Sequence, residues 1–241
     1  MSKIGGNKVV ALIKKELHSY FSSPIAYLIL ITCLSLFNIL FFMIVDQNKE
    51  VSLRDVFQVM EFMFIFIIPL LTMKLFAEEK SNGTMEFLLT APLTPMMIVL
   101  GKYLSMLVFY SVLIILTGIY YFIVEYFGNP DAFSILSGYI GIWLEGAFFI
   151  AIGLLTSSWT RNQIIAAMSS YLILFLLYFS ITFTKYFTGF AESFLIQFST
   201  RTHLENFAIG MITTSDVVYY LAGILLCLVL TRLSIDHRLW Q

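Results

Sequence analysis

Two glutamates inside apolar stretches are the side chains best placed to do chemistry within a membrane. Glu145 lies near the middle of one stretch, beside Trp143 and Gly146, and Glu61 lies about one and a half turns into another. A buried acid in lipid is costly unless it is paired or protonated. Either acid could contact a transported substrate or lie on a proton path. Alternatively, Glu145 hydrogen-bonds to a neighbouring helix and Glu61 stays hydrated near the interface.

No recognisable catalytic motif accompanies these acids. Gly101-Lys102 lacks the upstream glycine of a phosphate-binding loop, and neither a His-Glu-x-x-His nor a Gly-x-Ser-x-Gly sequence occurs. The histidines and cysteines are scattered and have no metal-ligand spacing: His18, His203, His237, Cys33 and Cys227. We therefore expect a chain that is not an enzyme and binds no cofactor or metal.

The composition places the chain in a bilayer. Of its 241 residues, 59% are hydrophobic and 12% are charged, and the mean hydropathy is +0.89. The net charge of −1 gives no case for nucleic acid. The predicted fold is an all-α polytopic membrane protein whose single domain covers residues 1–241. Its six apolar segments fall at about 25–45, 56–76, 98–124, 137–158, 163–184 and 216–235.

The basic residues predict the orientation of these segments. An even number of crossings puts both termini on one side, and lysine and arginine favour the cytoplasmic face. With the termini inside, ten of the 14 basic residues lie at or near the cytoplasm. The four outside are Lys49, Arg54, Lys185 and Arg201. We expect a multi-pass protein of the bacterial cytoplasmic (inner) membrane with both termini in the cytoplasm.

Residues 8–22 have the pattern of an amphipathic helix lying in the membrane interface. Val9, Ile13, Leu17, Tyr20 and Phe21 recur at helical spacing, whereas Lys14 and Lys15 can meet anionic lipid head groups. The alternative is a solvated basic start to the first span.

A polar segment at residues 77–95 interrupts the apolar pattern between the second and third spans. Its acids precede an Asn82-Gly83 turn, and Thr84 can cap a short helix that ends before Pro92. The orientation places this segment in the cytoplasm. The alternative is a solvated acidic turn.

Residues 185–215 are too long for a tight turn and too polar for a full crossing. Two short apolar pieces, 190–198 and 204–211, predict two short helices that dip into the outer leaflet as a re-entrant hairpin. An ordered external loop is the alternative.

These features together resemble the ABC-2 type transporter permeases, and within them the gliding-motility-type and nitrous-oxide-reductase-maturation-type subunits. The most specific motif is Phe76-Ala77-Glu78-Glu79-Lys80-Ser81-Asn82-Gly83-Thr84-Met85-Glu86-Phe87-Leu88-Leu89-Thr90-Ala91-Pro92. Weaker motifs are Lys14-Lys15-Glu16-Leu17, Leu100-Gly101-Lys102-Tyr103, Thr160-Arg161-Asn162-Gln163, and the late His203, Phe207 and Gly210 with Asp216.

The resemblance implies a type V exporter-like fold in which the 77–95 segment carries a coupling helix. That helix would dock on a separate cytoplasmic ABC ATPase, present in two copies and carrying the ATP and Mg. The residues implied in coupling are Glu78, Glu79, Lys80, Gly83, Thr84, Met85, Glu86, Phe87, Leu88 and Leu89, beside Lys14, Lys15 and Glu16 of the interfacial helix. Met85, Leu88 and Leu89 would pack, and the acids would face basic residues of the ATPase or Lys14 and Lys15. His203, Phe207 and Gly210 would belong to the external hairpin.

The function implied is that of a permease subunit that couples ATP hydrolysis to export or to conformational work. Its expected partners are the ATPase, a second permease copy or a homologue, membrane lipids, and a periplasmic or membrane accessory protein. One alternative is a scaffold that acts on a periplasmic partner without transport. A secondary carrier that uses Glu145 is the other, and the absence of an internal repeat disfavours it.

Overall fold

The computed structural model describes residues 2–22, 24–48, 53–85, 93–128 and 130–236, which contain helices and no strand. The first half of the chain forms α1 (Ser2–Phe21), α2 (Pro24–Asn48), α3 (Arg54–Thr72), α4 (Lys74–Ser81), α5 (Pro95–Thr117) and α6 (Ile119–Phe127). The second half forms α7 (Ala132–Trp159), α8 (Gln163–Phe183), a 3-10 turn (Thr184–Tyr186), α9 (Phe190–Phe198), α10 (Thr200–Ala208) and α11 (Thr214–Asp236).

Six helical stretches are long and apolar enough to cross a membrane, which confirms the predicted number of spans. They are Ala26–Val45, Arg54–Ser81, Pro95–Phe127, Ala132–Trp159, Gln163–Tyr186 and Thr214–Asp236. We call the end of the bundle that carries α1 and the last residues of α11 the terminal end. The opposite end, which carries α9 and α10, is the hairpin end.

The fourth span, α7, is the centre of the bundle. In the most apolar stretch of α7, 78% of the residues are buried, whereas in the corresponding stretch of the first span 22% are buried. Glycines in α7 allow this close packing. A Cβ on Gly146 would lie 2.1 Å from the ring of Tyr110, and a Cβ on Gly153 would lie 2.0 Å from Thr72 Oγ1. The neighbours of α7 therefore pack against its backbone, which side chains at these positions would prevent.

The second span is longer than the sequence predicted, because α3 continues after a break at Met73 into α4. The first N–H groups of a helix have no partner within it. Here the hydroxyl of Ser157 from α7 accepts the N–H groups of Phe76 and Ala77 at 2.9 and 3.1 Å, and it donates to the carbonyl of Met73. Ser157 thus holds the two parts of the span together, and residues 77–81 form the end of a helix.

At the terminal end, α1 packs along α5. Leu12 occupies the space above Gly101, where a Cβ would lie 2.5 Å from the leucine side chain. Tyr20, two turns further on, is buried with its ring centroid 5.7 Å from that of Phe109. The buried stripe of α1 therefore runs through Leu12 and Tyr20. Of the predicted apolar positions, Tyr20 is buried, whereas positions 9, 13, 17 and 21 are half-buried.

At the hairpin end, residues 185–215 contain two short helices, α9 and α10. The second begins at Thr200, four residues before the start of the predicted apolar piece. Ser134 and Ser137 of α7 donate to the carbonyls of Ala208 and Phe207. These bonds fix the end of α10 on α7. The depth of the segment in the outer leaflet stays a prediction.

Candidate functional site

One lysine joins three elements at the terminal end. Lys102 of α5 places its ammonium 2.8 Å from Glu79 Oε1 of α4 and 3.3 Å from Glu16 Oε1 of α1. The lysine side chain is 2% exposed, and those of Glu16 and Glu79 are 13% and 19% exposed. An ammonium with so little water needs such partners. We call Glu16, Glu79 and Lys102 the lysine clamp.

Two aromatic rings lie beside the lysine clamp. The Lys102 ammonium lies 5.4 Å from the ring centroid of Phe76, and that of Lys74 lies 5.1 Å from the centroid of Tyr20. Both distances suit a cation–π contact. Burial, with the neighbouring carboxylates of Glu16, Glu78 and Glu79, raises the pKa of the Tyr20 phenol well above its ordinary value. Tyr20 therefore stays a neutral hydroxyl at the edge of the clamp.

The acids of the 77–95 segment differ in their surroundings. Glu78 is exposed, but Glu79 points to Lys102. Lys80 is buried and donates to the carbonyl of Ser158 at the end of α7. Of these three predicted coupling residues, only Glu78 presents its charge freely to a partner.

The turn after α4 needs its glycine. Gly83 has φ +71°, a conformation that other residues rarely adopt, and a Cβ there would meet no atom within 4 Å. The Thr84 hydroxyl donates back to the Glu79 carbonyl at 3.3 Å, and the N–H groups that it is predicted to cap lie outside the described residues. Met85 is buried. The predicted coupling residues Glu86, Phe87, Leu88 and Leu89 lie outside the described residues.

Lys14 and Lys15 are exposed on α1. The acids of the 77–95 segment were expected to face these lysines or a partner. One of the acids, Glu79, is paired with Lys102 instead. A cleft of about 700 Å³ opens beside the clamp, and Lys15, Lys74 and Glu78 line it. It gives the terminal end a concave surface that carries charges of both signs.

The two acids singled out inside the spans meet in the structure. Glu61 of α3 and Glu145 of α7 are 0% and 1% exposed, and their carboxyl groups lie close enough to act on each other electrostatically. Glu61 is therefore not the hydrated interfacial acid considered as an alternative. Thr200, the first residue of α10, donates to Glu61 Oε1 at 3.4 Å. The pair thus lies where residues 185–215, which we call the hairpin segment, meet the central helix α7.

A second polar cluster attaches the hairpin segment to the last span. The ring nitrogens of His203 lie 2.6 Å from Asp216 Oδ1 and 3.0 Å from the carbonyl oxygen of Gln197. Asn206 and Thr213 donate to the other carboxylate oxygen of Asp216. His203 therefore joins α10 to the start of α11 and to the end of α9.

The other two predicted hairpin residues serve packing and chain direction. Phe207 is buried against the backbone of Gly141, where a Cβ would lie 2.5 Å from the phenylalanine Cβ. Gly210 has φ +86°, which lets the chain turn from α10 toward α11.

The site residues that sequence reasoning missed are Lys102, Tyr20 and Ser157. Lys102 gave a signal, because a lysine just inside an apolar span is costly and requires a partner. Tyr20 was placed on the apolar face of the interfacial helix but not beside a lysine, and Ser157 gave no signal, because both roles depend on which helices pack together. Among the described residues, no group of three or more His, Cys, Asp or Glu side chains is arranged to hold a metal ion.

Comparison with known proteins places the chain in a family. A search of curated proteins found no match. A family model described as ABC-2 family transporter protein matches residues 35–235, a range that begins within α2 and so excludes α1. It covers well over half of the chain and every span from the second to the last. The chain therefore belongs to the ABC-2 transporter family and is a multi-pass membrane permease component of an ABC transporter.

Proposed function

We propose that this permease couples ATP hydrolysis by a separate cytoplasmic ABC ATPase to export or to conformational work across the membrane. The observation that carries the proposal is the lysine clamp. It ties α1 to the end of the second span and to the start of the third span. These two ends flank residues 82–94, the part of the 77–95 segment between the two helices, and the motif of that segment resembles the ATPase-docking loop of such permeases.

The geometry of the clamp suits the transmission of force. A load on the 82–94 segment acts on α4 and α5, and Lys102 keeps the charged ends of α4 and α1 at fixed distances from α5. The hydrogen bonds of Ser157 and Lys80 link α4 to α7 at the same end. Movement of the docking segment would therefore reach the central helix directly and not only the span next to it.

The complex we propose follows from this assignment. Two copies of the ATPase would supply the ATP and Mg sites, and two copies of this chain, or one copy and a homologue, would form the membrane unit. Both termini would lie in the cytoplasm of a bacterium, with the chain in its inner membrane. Lys14 and Lys15, exposed on α1, suit contact with anionic lipid head groups.

A matched pair of glycine variants tests the coupling. Gly83 and Gly189 both have φ +71° and open space at the Cβ position, but they lie at opposite ends of the bundle. Proline cannot adopt this φ. We expect Gly83→Pro to lose the ATPase when the chain is purified from native membranes, and Gly189→Pro to retain it. Glu86→Lys tests the charge of the segment in the same assay.

The outcome that would sink the proposal is normal co-purification, together with normal ATPase stimulation in lipid, for both Gly83→Pro and Glu86→Lys. Loss of the ATPase from Gly189→Pro as well would mean that folding, and not docking, had been disturbed. Thermal unfolding of each purified variant, compared with the wild type, separates these two results.

A second candidate function, a scaffold for a periplasmic partner, is favoured by the surface of α9. Phe190 and Phe194 are 88% and 56% exposed, and Tyr186 just before them is 79% exposed. Such a surface suits a protein partner as well as lipid. ATPase activity that responds to a purified periplasmic protein, and not to lipids, drugs or metabolites, would favour the scaffold.

A further inference from the structure

The Glu61 and Glu145 pair has a shortage of hydrogen-bond donors. Both side chains are buried between α3 and α7. Among the described residues, no donor makes a well-formed hydrogen bond to either oxygen of Glu145 or to Oε2 of Glu61, although the Thr200 hydroxyl lies close enough to act on Glu145 as well. The one donor to the pair is the Thr200 hydroxyl, at 3.4 Å from Glu61 Oε1. Two ionised carboxylates buried at this position would repel each other, with a single hydroxyl donor to compensate.

The tyrosine hydroxyls around the pair do not supply the missing hydrogen bonds. Three tyrosines of α5 and α11 lie near the pair, but their hydroxyls donate to backbone carbonyls. Tyr110 donates to Ile142, Tyr219 to Phe198 and Tyr220 to Thr200. The charged and titratable groups that act on the pair are Arg201 and Glu205 of α10, Tyr178 of α8, Tyr110 of α5, and Tyr219 and Tyr220 of α11.

Arg201 is the basic group that acts on Glu61. Its guanidinium lies 5.8 Å from the centroid of the Tyr178 ring. Glu205 is paired with Arg54. Arg201 therefore favours one ionised carboxylate in the pair, whereas burial leaves the second carboxyl group in need of a proton.

We propose that Glu61 and Glu145 form a proton-binding site that holds one shared proton beneath the hairpin segment. The protonated carboxyl donates to the ionised one, which provides the missing donor and leaves a single negative charge near Arg201. No covalent step is involved, because the proton is taken from water and returned to it. The inference does not depend on the proposed ATPase partner.

The site is linked to the hairpin segment through Thr200. The same residue donates to Glu61 and accepts the Tyr220 hydroxyl at its carbonyl. Displacement of α10 would remove both Thr200 and Arg201 from the pair and admit water. Because binding and conformation are linked reciprocally, the position of the hairpin segment and the occupancy of the proton site influence each other.

Infrared spectroscopy of the full-length chain in lipid nanodiscs tests the proposal. A protonated carboxyl has a C=O stretching band separate from that of a carboxylate. We expect the wild type to show this band near neutral pH and both Glu61→Gln and Glu145→Gln to lose it. In each variant the glutamine amide donates to the remaining carboxylate in place of the shared proton. Glu125→Gln, which removes an exposed carboxyl group, should keep the band.

Two results would overturn the shared proton. A wild-type chain without the band has no protonated pair, and single variants that keep the band have carboxyl groups protonated independently. The wild-type measurement alone remains decisive if a variant does not fold. Thr200→Val tests the link to the hairpin: without the donor that stabilises the carboxylate, the band should persist to a higher pH than in the wild type. An unchanged pH dependence would refute that link.

Discussion

Replacement of Lys102 by methionine should destabilise the terminal end more than the loss of an ordinary surface charge. The substitution keeps the length of the side chain but removes the cation that Glu16 and Glu79 share. Removing one partner of a buried ion pair costs about 3 to 5 kcal/mol, because the remaining charge is left uncompensated.

The magnitude follows from the exposure of the partners. Glu16 and Glu79 are 13% and 19% exposed, so water reaches them in part and the cost falls at the lower end, about 3 kcal/mol. For a chain of this length, each kcal/mol lowers the melting temperature by about 2 to 4 °C. We therefore expect Lys102→Met to lower the melting temperature by about 6 to 12 °C.

Thermal unfolding of the purified full-length chain, followed by intrinsic fluorescence, measures this change. Lys185→Met is the matched control, because Lys185 is exposed at the hairpin end, and it should melt close to the wild type. The triple variant Lys102→Met, Glu16→Gln, Glu79→Gln should recover part of the loss, since no buried charge is then unpaired. The reasoning fails if Lys102→Met melts with the control, or if the triple variant is no more stable than Lys102→Met.

Three further predictions concern the packing and the polar contacts of the bundle. Gly146→Ala should cost about 1 to 3 kcal/mol of unfolding free energy, because the new Cβ overlaps the ring of Tyr110; the melting temperature reports it. Ser157→Ala should cost about 1 to 3 kcal/mol, since the N–H and C=O groups at the break in the second span lose their partner; a melting temperature equal to that of the wild type would contradict this. His203→Phe keeps a ring of similar size but removes both polar contacts, and it should increase deuterium uptake in the hairpin segment, measured by mass spectrometry.

The spans could be predicted from the sequence because their signal is local. Each apolar stretch meets the length that a bilayer requires, whatever its neighbours are. The end of the second span was placed too early because Glu78 and Glu79 are polar, and polar residues usually mark a loop. Here the helix continues through them, and Ser157 of a distant helix completes the hydrogen bonds at its break.

The partners of the buried charges could not be predicted in the same way. Glu145 was singled out as costly, but its contact with Glu61 depends on the packing of α3 against α7. Glu61 could be read as hydrated because nothing in its own span shows that the hairpin segment covers it. Lys102 lies 23 residues from Glu79 and 86 from Glu16, so no helical spacing connects them. Such pairs are properties of the assembled bundle.

The lysine clamp also sets an order for biogenesis. Glu16 is synthesised long before Lys102. Until the third span has been made, Glu16 of α1 therefore has no lysine from that span to pair with. Glu79 and Lys102 can meet once the second and third spans pair as a helical hairpin. The helix α1 can therefore complete its docking only after the third span has been inserted.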